Sequence, residues 1–557
     1  MKGVFNNMND TENSLSVSEI TAAEANDTSN LQAEKGVTPS EAVCESAVQT
    51  DAPALTAKRS QFTALECVAA WVCFVLSFIF LRLVGWEHYP IAMTCYVVAI
   101  YIASYVVVKV KGVIVNKLGL IIGAAFAALS ISIILTSNAM IQTLSFFICA
   151  FGYVLSTYIT TGNSLKEDAV IFFNMLKAFF IMPFSAFGKI WPAAFRRSNK
   201  ANRQGDGKTV LWVLLGLLMT VIPTLLVIFL LQYDENFSRL LDKAGKLFSN
   251  LPDAAPGLFI SFILSVPCAM YIFGVYFSNS RRMNNTIMTD AGSAKARINM
   301  HFLPKALVLA MAIPLLIVYV CFFATQWSYY VSAFTGILPK GYSIAEYARN
   351  GFFELLVVAV INGIAIAVNG AFTKFNSDGK PSVIQKTVKV LFIIATLVLI
   401  ATAMSKLLLY VQTYGLTRKR VLAAWFMVSM AIEFILCLVL PLFKRVKRNT
   451  VMLVAAFALF AILAFSNMEG QIARFNVNAY LNGSHKSIDI QELEDLGDSA
   501  IPELVRLYNE KGDVNYRVET TLDSYSEKEN LLDFTIPAVR ASAAISKYRD
   551  IQKSLDK

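Results

Sequence analysis

The run Val451-Met452-Leu453-Val454-Ala455-Ala456-Phe457-Ala458-Leu459-Phe460-Ala461-Ile462-Leu463-Ala464-Phe465 carries no charged side chain. With its flanks it covers residues 450–467, enough helix to cross a hydrocarbon core about 30 Å thick. Similar runs precede it at about 62–84, 90–109, 118–137, 139–159, 209–231, 258–279, 305–326, 351–371, 388–412 and 421–443. A helix satisfies its own backbone polar groups in lipid. The repeated runs therefore predict an all-α polytopic transmembrane bundle of about eleven spans.

Composition agrees. The hydrophobic fraction is 56% and the mean hydropathy is +0.55, too apolar for a soluble chain with an ordinary surface. The net charge of +10 could suggest nucleic acid, but the cations sit in short loops between apolar runs, as membrane orientation requires. No nucleic-acid partner is expected. Every cysteine except Cys44 lies inside an apolar run without metal-ligand spacing. His88, His301 and His485 are isolated. There is no phosphate-binding glycine loop, nucleophile elbow or paired-histidine motif. Catalytic residues, cofactor and metal are all expected to be none.

The domain reading has three parts. Residues 1–57 are rich in Ser, Thr, Ala, Asn and acidic residues without apolar period, which predicts a disordered acidic cytoplasmic tail. Residues 58–467 form the bundle. Residues 468–557 are charged and mixed, and predict a small outer helical domain. Within it, Asp498-Ser499-Ala500-Ile501-Pro502-Glu503-Leu504 reads as a capped helix start, and Phe534–Tyr548 as a second helix. Lys58 and Arg59 before the first run hold the N-terminus inside; an odd span count then puts the C-terminal segment outside.

Two stretches strain this scheme. Residues 169–195 are apolar but interrupted by Lys177, Pro183, Lys189 and Pro192. The preferred reading is a helix in the inner interface, with Trp191 at headgroup level. The turn Tyr414-Gly415-Leu416-Thr417-Arg418-Lys419-Arg420 sets three cations at the outer surface, in the first turn of a helix. This opposes both the positive-inside rule and the macrodipole, so an acidic partner is expected, with Glu346 and Glu354 as candidates and acidic lipid headgroups as the rival.

Five stretches carry a family resemblance: Leu230-Leu231 with Asp234 and Phe237 at the close of the fifth run; Gly341-Tyr342-Ser343-Ile344-Ala345-Glu346 continuing to Glu354 and Leu356; Ser405-Lys406-Leu407-Leu408-Leu409-Tyr410 with the turn at Tyr414–Arg420; Ile472-Ala473-Arg474-Phe475-Asn476; and Asp498–Pro502. Together they resemble the bacterial membrane family designated domain of unknown function 4173, over roughly residues 205–510, with the bundle part at about 205–467. The resemblance implies a bacterial cytoplasmic (inner) membrane location and brings no substrate. It favours Arg where this chain has Lys406.

The candidate site is a polar cluster of Glu346, Asn350, Glu354, Lys406, Tyr414, Arg418, Arg420 and Glu433. Glu346, Asn350 and Glu354 share a helix face at four-residue spacing, and Asn362 and Asn369 continue it. Intramembrane ionisable groups normally face partners or a cavity. The cluster reads either as a cavity for a solute or lipid headgroup, or as pairs locking three helices together. Pro223, Pro267 and Pro314 lie inside runs, where proline kinks a helix or frees carbonyls for a site. The functional expectations are a transporter-like or lipid- or envelope-handling protein, a scaffold or sensor whose C-terminal segment binds an envelope partner, or an enzyme on a lipid-linked substrate. The implied partners are the bilayer and an anionic headgroup or small solute. The sequence is silent on oligomeric state.

Overall fold

A computed structural model of the chain describes residues 62–86, 88–110, 115–163, 168, 171–195, 254–281, 299–325, 352–374, 382–443, 445–526 and 531–555. The segment read above as a disordered tail, the run at 209–231, Pro223, Glu346 and Asn350 lie outside the described residues.

The described elements are helical. They are α1 (Ala64–Ile79), prolonged by a π-helical turn, Phe80–Trp86; α2 (Pro90–Val110); α3 (Lys117–Leu129); α4 (Ser132–Leu135); and α5 (Ala139–Thr160). A broken segment follows as α6 (Ile171–Leu176), α7 (Met182–Ser185) and α8 (Ile190–Ala194). Next come α9 (Ala254–Ser280), α10 (Lys305–Thr325), α11 (Phe352–Phe372), α12 (Val383–Tyr414), α13 (Arg418–Val439) and α14 (Arg448–Phe465). The C-terminal segment folds as α15 (Met468–Leu481), α16 (Ile490–Asp495), α17 (Ile501–Lys511), α18 (Val518–Asp523) and α19 (Ile536–Leu555). Ten helices among the described residues are long and apolar enough to cross a membrane. The protein is a polytopic all-α membrane protein, with large apolar side chains such as Phe259 and Val320 facing outward.

Contacts between helix ends define two faces. Thr63 and Glu66 form a capping box at the start of α1. Glu66 is fully buried and accepts two bonds from Arg281, at 2.7 and 2.6 Å, at the end of α9. Each charge suits the helix end it occupies. On the same face Asn116 N–H donates to the Thr160 carbonyl at 3.0 Å. There too Asp168 caps α14 from 281 positions away: its carboxylate accepts the backbone N–H of Asn449 at 3.0 Å and of Thr450 at 2.8 Å. The helix's own N-cap, Lys447, offers no side-chain bond. The opposite face carries the α4–α5 turn, the α12–α13 turn and the C-terminal helices.

The broken segment settles between these faces. It starts beside Asp168 and ends where the Ala194 carbonyl accepts from Cys67 Sγ (3.1 Å) and Trp71 Nε1 (3.3 Å), both near the start of α1. Between them Phe179 stacks on Phe151 at 4.4 Å and its carbonyl accepts from Tyr271 at 3.0 Å. Phe151 lies nine residues from the end of α5, about 14 Å deep at 1.5 Å per residue. Gly274 permits the approach, since a Cβ there would sit 2.4 Å from the Pro183 carbonyl oxygen. The bend between Ile171–Ser185 and Phe187–Ala194 is 41°. With both ends on the Glu66 face, this is an arch that enters and leaves by that face and reaches about half-way across. Trp191 is not at a wet level: its ring packs on Phe74 at 5.5 Å and its indole nitrogen is buried without an acceptor among the described residues.

Ser60–Lys557 forms one compact unit. One hydrophobic core runs from Met93, Ile133 and Phe146 in the bundle to Ile472, Leu493, Leu504, Leu522, Ile545 and Tyr548 in the C-terminal helices. The C-terminal segment therefore continues the bundle instead of hanging from it. A second core joins α10–α13, and Asn362 is buried inside it. Asn362 accepts from the Tyr319 hydroxyl and donates to Thr396 Oγ1 at 3.0 Å, tying three helices together. Asn362, part of the polar arc read from sequence, thus serves packing.

Candidate functional site

The site grows from the α12–α13 turn. Gly415 ends α12 with φ 75°, a left-handed conformation that glycine adopts without strain. A Cβ there would lie 2.6 Å from Asn476 Oδ1. Asn476, on α15, accepts the Leu416 N–H at 2.8 Å and donates to the Leu416 carbonyl at 2.7 Å, copying the pairing of a β-strand. His485 Nε2 lies 2.9 Å from the Gln412 carbonyl oxygen. Two of the quoted motifs, the Tyr414–Arg420 turn and Ile472–Asn476, meet here.

Two of the three cations of the turn, Arg418 and Arg420, find separate partners. The Arg420 guanidinium donates to the Tyr414 and Gly415 carbonyls at 3.1 and 2.6 Å and lies over the Tyr410 ring at 4.2 Å. It therefore caps the C-terminal end of α12, where a cation is favoured. It makes no ion pair with Glu354, one of the two acidic candidates that the sequence offered for this turn. Arg418 turns to the C-terminal helices. Its backbone N–H donates to Glu492 at 3.2 Å, its guanidinium donates to the Asp495 carbonyl, and Nε lies 3.7 Å from Glu469 Oε1. Burial pushes the Glu492 carboxyl above its ordinary value, partly offset by the Arg418 N–H bond.

Glu469 is the centre of the junction. Its side chain is fully buried and accepts from Asn138 Nδ2 and from Thr136 Oγ1, the latter at 3.3 Å. Asn138 in turn caps α5 by accepting the Ile141 N–H at 3.1 Å. Such a buried carboxylate is stable only when its lone pairs are filled; here the α4–α5 turn supplies the hydrogen bonds and Arg418, from the α12–α13 turn, a nearby charge.

The remaining members of the expected cluster lie apart from this junction. Glu354 is exposed and acts electrostatically on Lys406. Tyr414 is exposed, its ring 5.1 Å from Tyr410. Glu433 lies fifteen residues into α13, about 22 Å along the helix from the turn; its Oε1 is buried without a partner among the described residues. Sequence reasoning missed Thr136, Asn138, Glu469 and Glu492. Glu469 had one visible signal, a carboxylate four residues beyond the last apolar run.

Beside Glu469, at the start of α15, a cleft of about 230 Å³ is lined by residues including Asn467, Arg474, Asp498, Ser499, Glu503 and Arg540. Ser499 forms its floor, with Oγ 2.8 Å from Ser137 Oγ and 3.2 Å from Asn467 Oδ1. The expected cap at Asp498 does not form. A 3₁₀ turn over Gly497–Ser499 shifts the start of α17, and Ala500 becomes the N-cap without a side-chain bond. Asp498 instead accepts from the Tyr525 hydroxyl at 3.4 Å.

Fold and junction together define an integral membrane protein whose C-terminal helices are built into one face of its bundle. The chain belongs to the family described as Domain of unknown function (DUF4153), whose profile matches residues 123–507. This corrects the family number suggested by the motifs, 4173, and extends the matched region toward the N-terminus. No curated protein and no solved structure matches the chain.

Proposed function

We propose that the protein handles a lipid or envelope component at the face formed by Glu469 and the C-terminal helices. The loop charges put this face outside, with the N-terminus in the cytoplasm. The observation that supports the reading is the position of the cleft. Gly470 lies five residues beyond α14, within about 17 Å of the span end even were the link fully extended, so the cleft opens where the headgroup layer begins. The shared core and the Glu469 network hold it there. The transporter-like version has less support, because Arg420, Arg418 and Glu433 serve three separate surroundings among the described residues.

The test is photo-crosslinking of the full chain, reconstituted with a phospholipid that carries a photoreactive headgroup. Crosslinks mapped by mass spectrometry are expected to concentrate on residues 467–474, 498–503 and 537–540. Labelling spread evenly along the ends of all spans would overturn the reading.

A further inference from the structure

We infer that the cleft between α15, α17 and α19 is an anion site that takes a phosphate group; the inference rests on the reading of this face as the working one. Arg474 and Arg540 both line the cleft and both are exposed. Neither makes an ion pair or hydrogen bond among the described residues. Guanidinium forks match the oxygen geometry of phosphate and bind it through paired N–H bonds. The two carboxylates on the rim are already engaged. Glu503 accepts from Arg506 at 3.3 Å, and Asp498 accepts from Tyr525. Tyr525 is a neutral donor, so Asp498 keeps its charge on the rim; Arg474 and Arg540 outweigh that one charge and are the cleft's guanidiniums without a partner among the described residues.

The backbone adds to this field. The cleft is bordered by the first turn of α15, through Gly470. α15, of 14 residues, begins without a side-chain cap. A helix start carries partial positive charge from unfilled N–H groups. At about 230 Å³ the space is below that of sites for drug-sized ligands, roughly 300–1,000 Å³. It suits a phosphate with a small substituent. The depth of the cleft suits a phospholipid headgroup, while free phosphate has the same recognition chemistry.

The experiment compares the full chain with the Arg474→Gln, Arg540→Gln double variant. Because both side chains are exposed and unpaired, the variant should melt within a degree or two of the parent without ligand. Inorganic phosphate is titrated in detergent, and phosphatidylglycerol is compared with phosphatidylcholine in nanodiscs, each followed by thermal shift. The parent should be stabilised by at least one probe, with apparent affinity at least ten-fold weaker in the variant and partly restored by Lys at both positions. Stabilisation by inorganic phosphate would identify free phosphate as a ligand; stabilisation by phosphatidylglycerol alone would identify a headgroup. No shift with either probe, or equal shifts in parent and variant, would overturn the site. Headgroup crosslinks that persist at this face in the variant would sink the arginine site and leave the proposed function standing. Phosphate binding without such crosslinks would do the reverse.

Discussion

Glu469 loses all contact with water and depends on Asn138, Thr136 and Arg418. Glu469→Ala strands an amide and weakens the anchoring of Arg418, and should cost on the order of 3 kcal/mol. Arg418→Ala should cost less, because that side chain is 39% exposed and Glu469 keeps its neutral donors. The double variant should lose less than the two single losses summed, measured as thermal unfolding in detergent. The same cycle on Arg420 and Glu354 should be additive, since the Arg420 guanidinium is committed to two carbonyls and a ring. Additivity at Glu469 and Arg418, or coupling at Arg420 and Glu354, would contradict these contacts. That the turn cations need compensation was legible from charge and helix position alone. Their partners were not, because Glu469 and Glu492 lie beyond the last apolar run, and no local pattern tells which residues of a polar segment fold back.

Both of the last two spans borrow carboxylates from distant chain. Glu492 accepts the first N–H of α13, and Asp168 accepts two near the start of α14. Each lies at a helix start crowded with Lys and Arg, so the borrowed charge offsets a macrodipole that the helix's own residues aggravate. Burial alone would raise the Asp168 carboxyl, but bonds from Asn449 and Thr450 and the nearby Arg448 outweigh it and hold the group below its ordinary value. Its stabilisation is therefore present at neutral pH and is lost as pH falls through that lowered value. Asp168→Ala should cost about 1 kcal/mol at pH 7, the usual worth of a cap. It should also flatten the loss of melting temperature as pH falls below the ordinary Asp value of about 4, and an unchanged acid limb would refute the cap. Glu492, shifted upward, contributes in the opposite sense, most below its unfolded value and less as pH rises. Spans such as α14 were legible because twenty apolar residues admit one solution in lipid. The start of α17 was misplaced because the turn at Gly497 displaced the cap, and turn geometry depends on what it packs against.

Across the whole molecule, the ends of the spans sort into two faces. Lys447 and Ser484 are both exposed and lie on opposite ones. Ser484→Cys should react with a membrane-impermeant maleimide on intact cells, and Lys447→Cys should react only after lysis, each compared with the unsubstituted chain. Equal labelling of both before lysis would refute the two-faced arrangement; reversed labelling would turn the molecule over while preserving it. The bundle was legible as a set of runs, but the merger of bundle and C-terminal helices into one core was not. It comes from contacts such as Thr136 to Glu469, 333 positions apart. That separation sets a timetable. At roughly 5–20 residues per second, a ribosome needs on the order of 20–70 s to travel from one partner to the other. Until then the α4–α5 turn has only its local bonds, and a nascent chain stopped short of Asn467 would leave Asn138 Nδ2 and the Thr136 hydroxyl without the Glu469 carboxylate. Closure of that turn by Glu469 therefore reports that synthesis has passed the last described span.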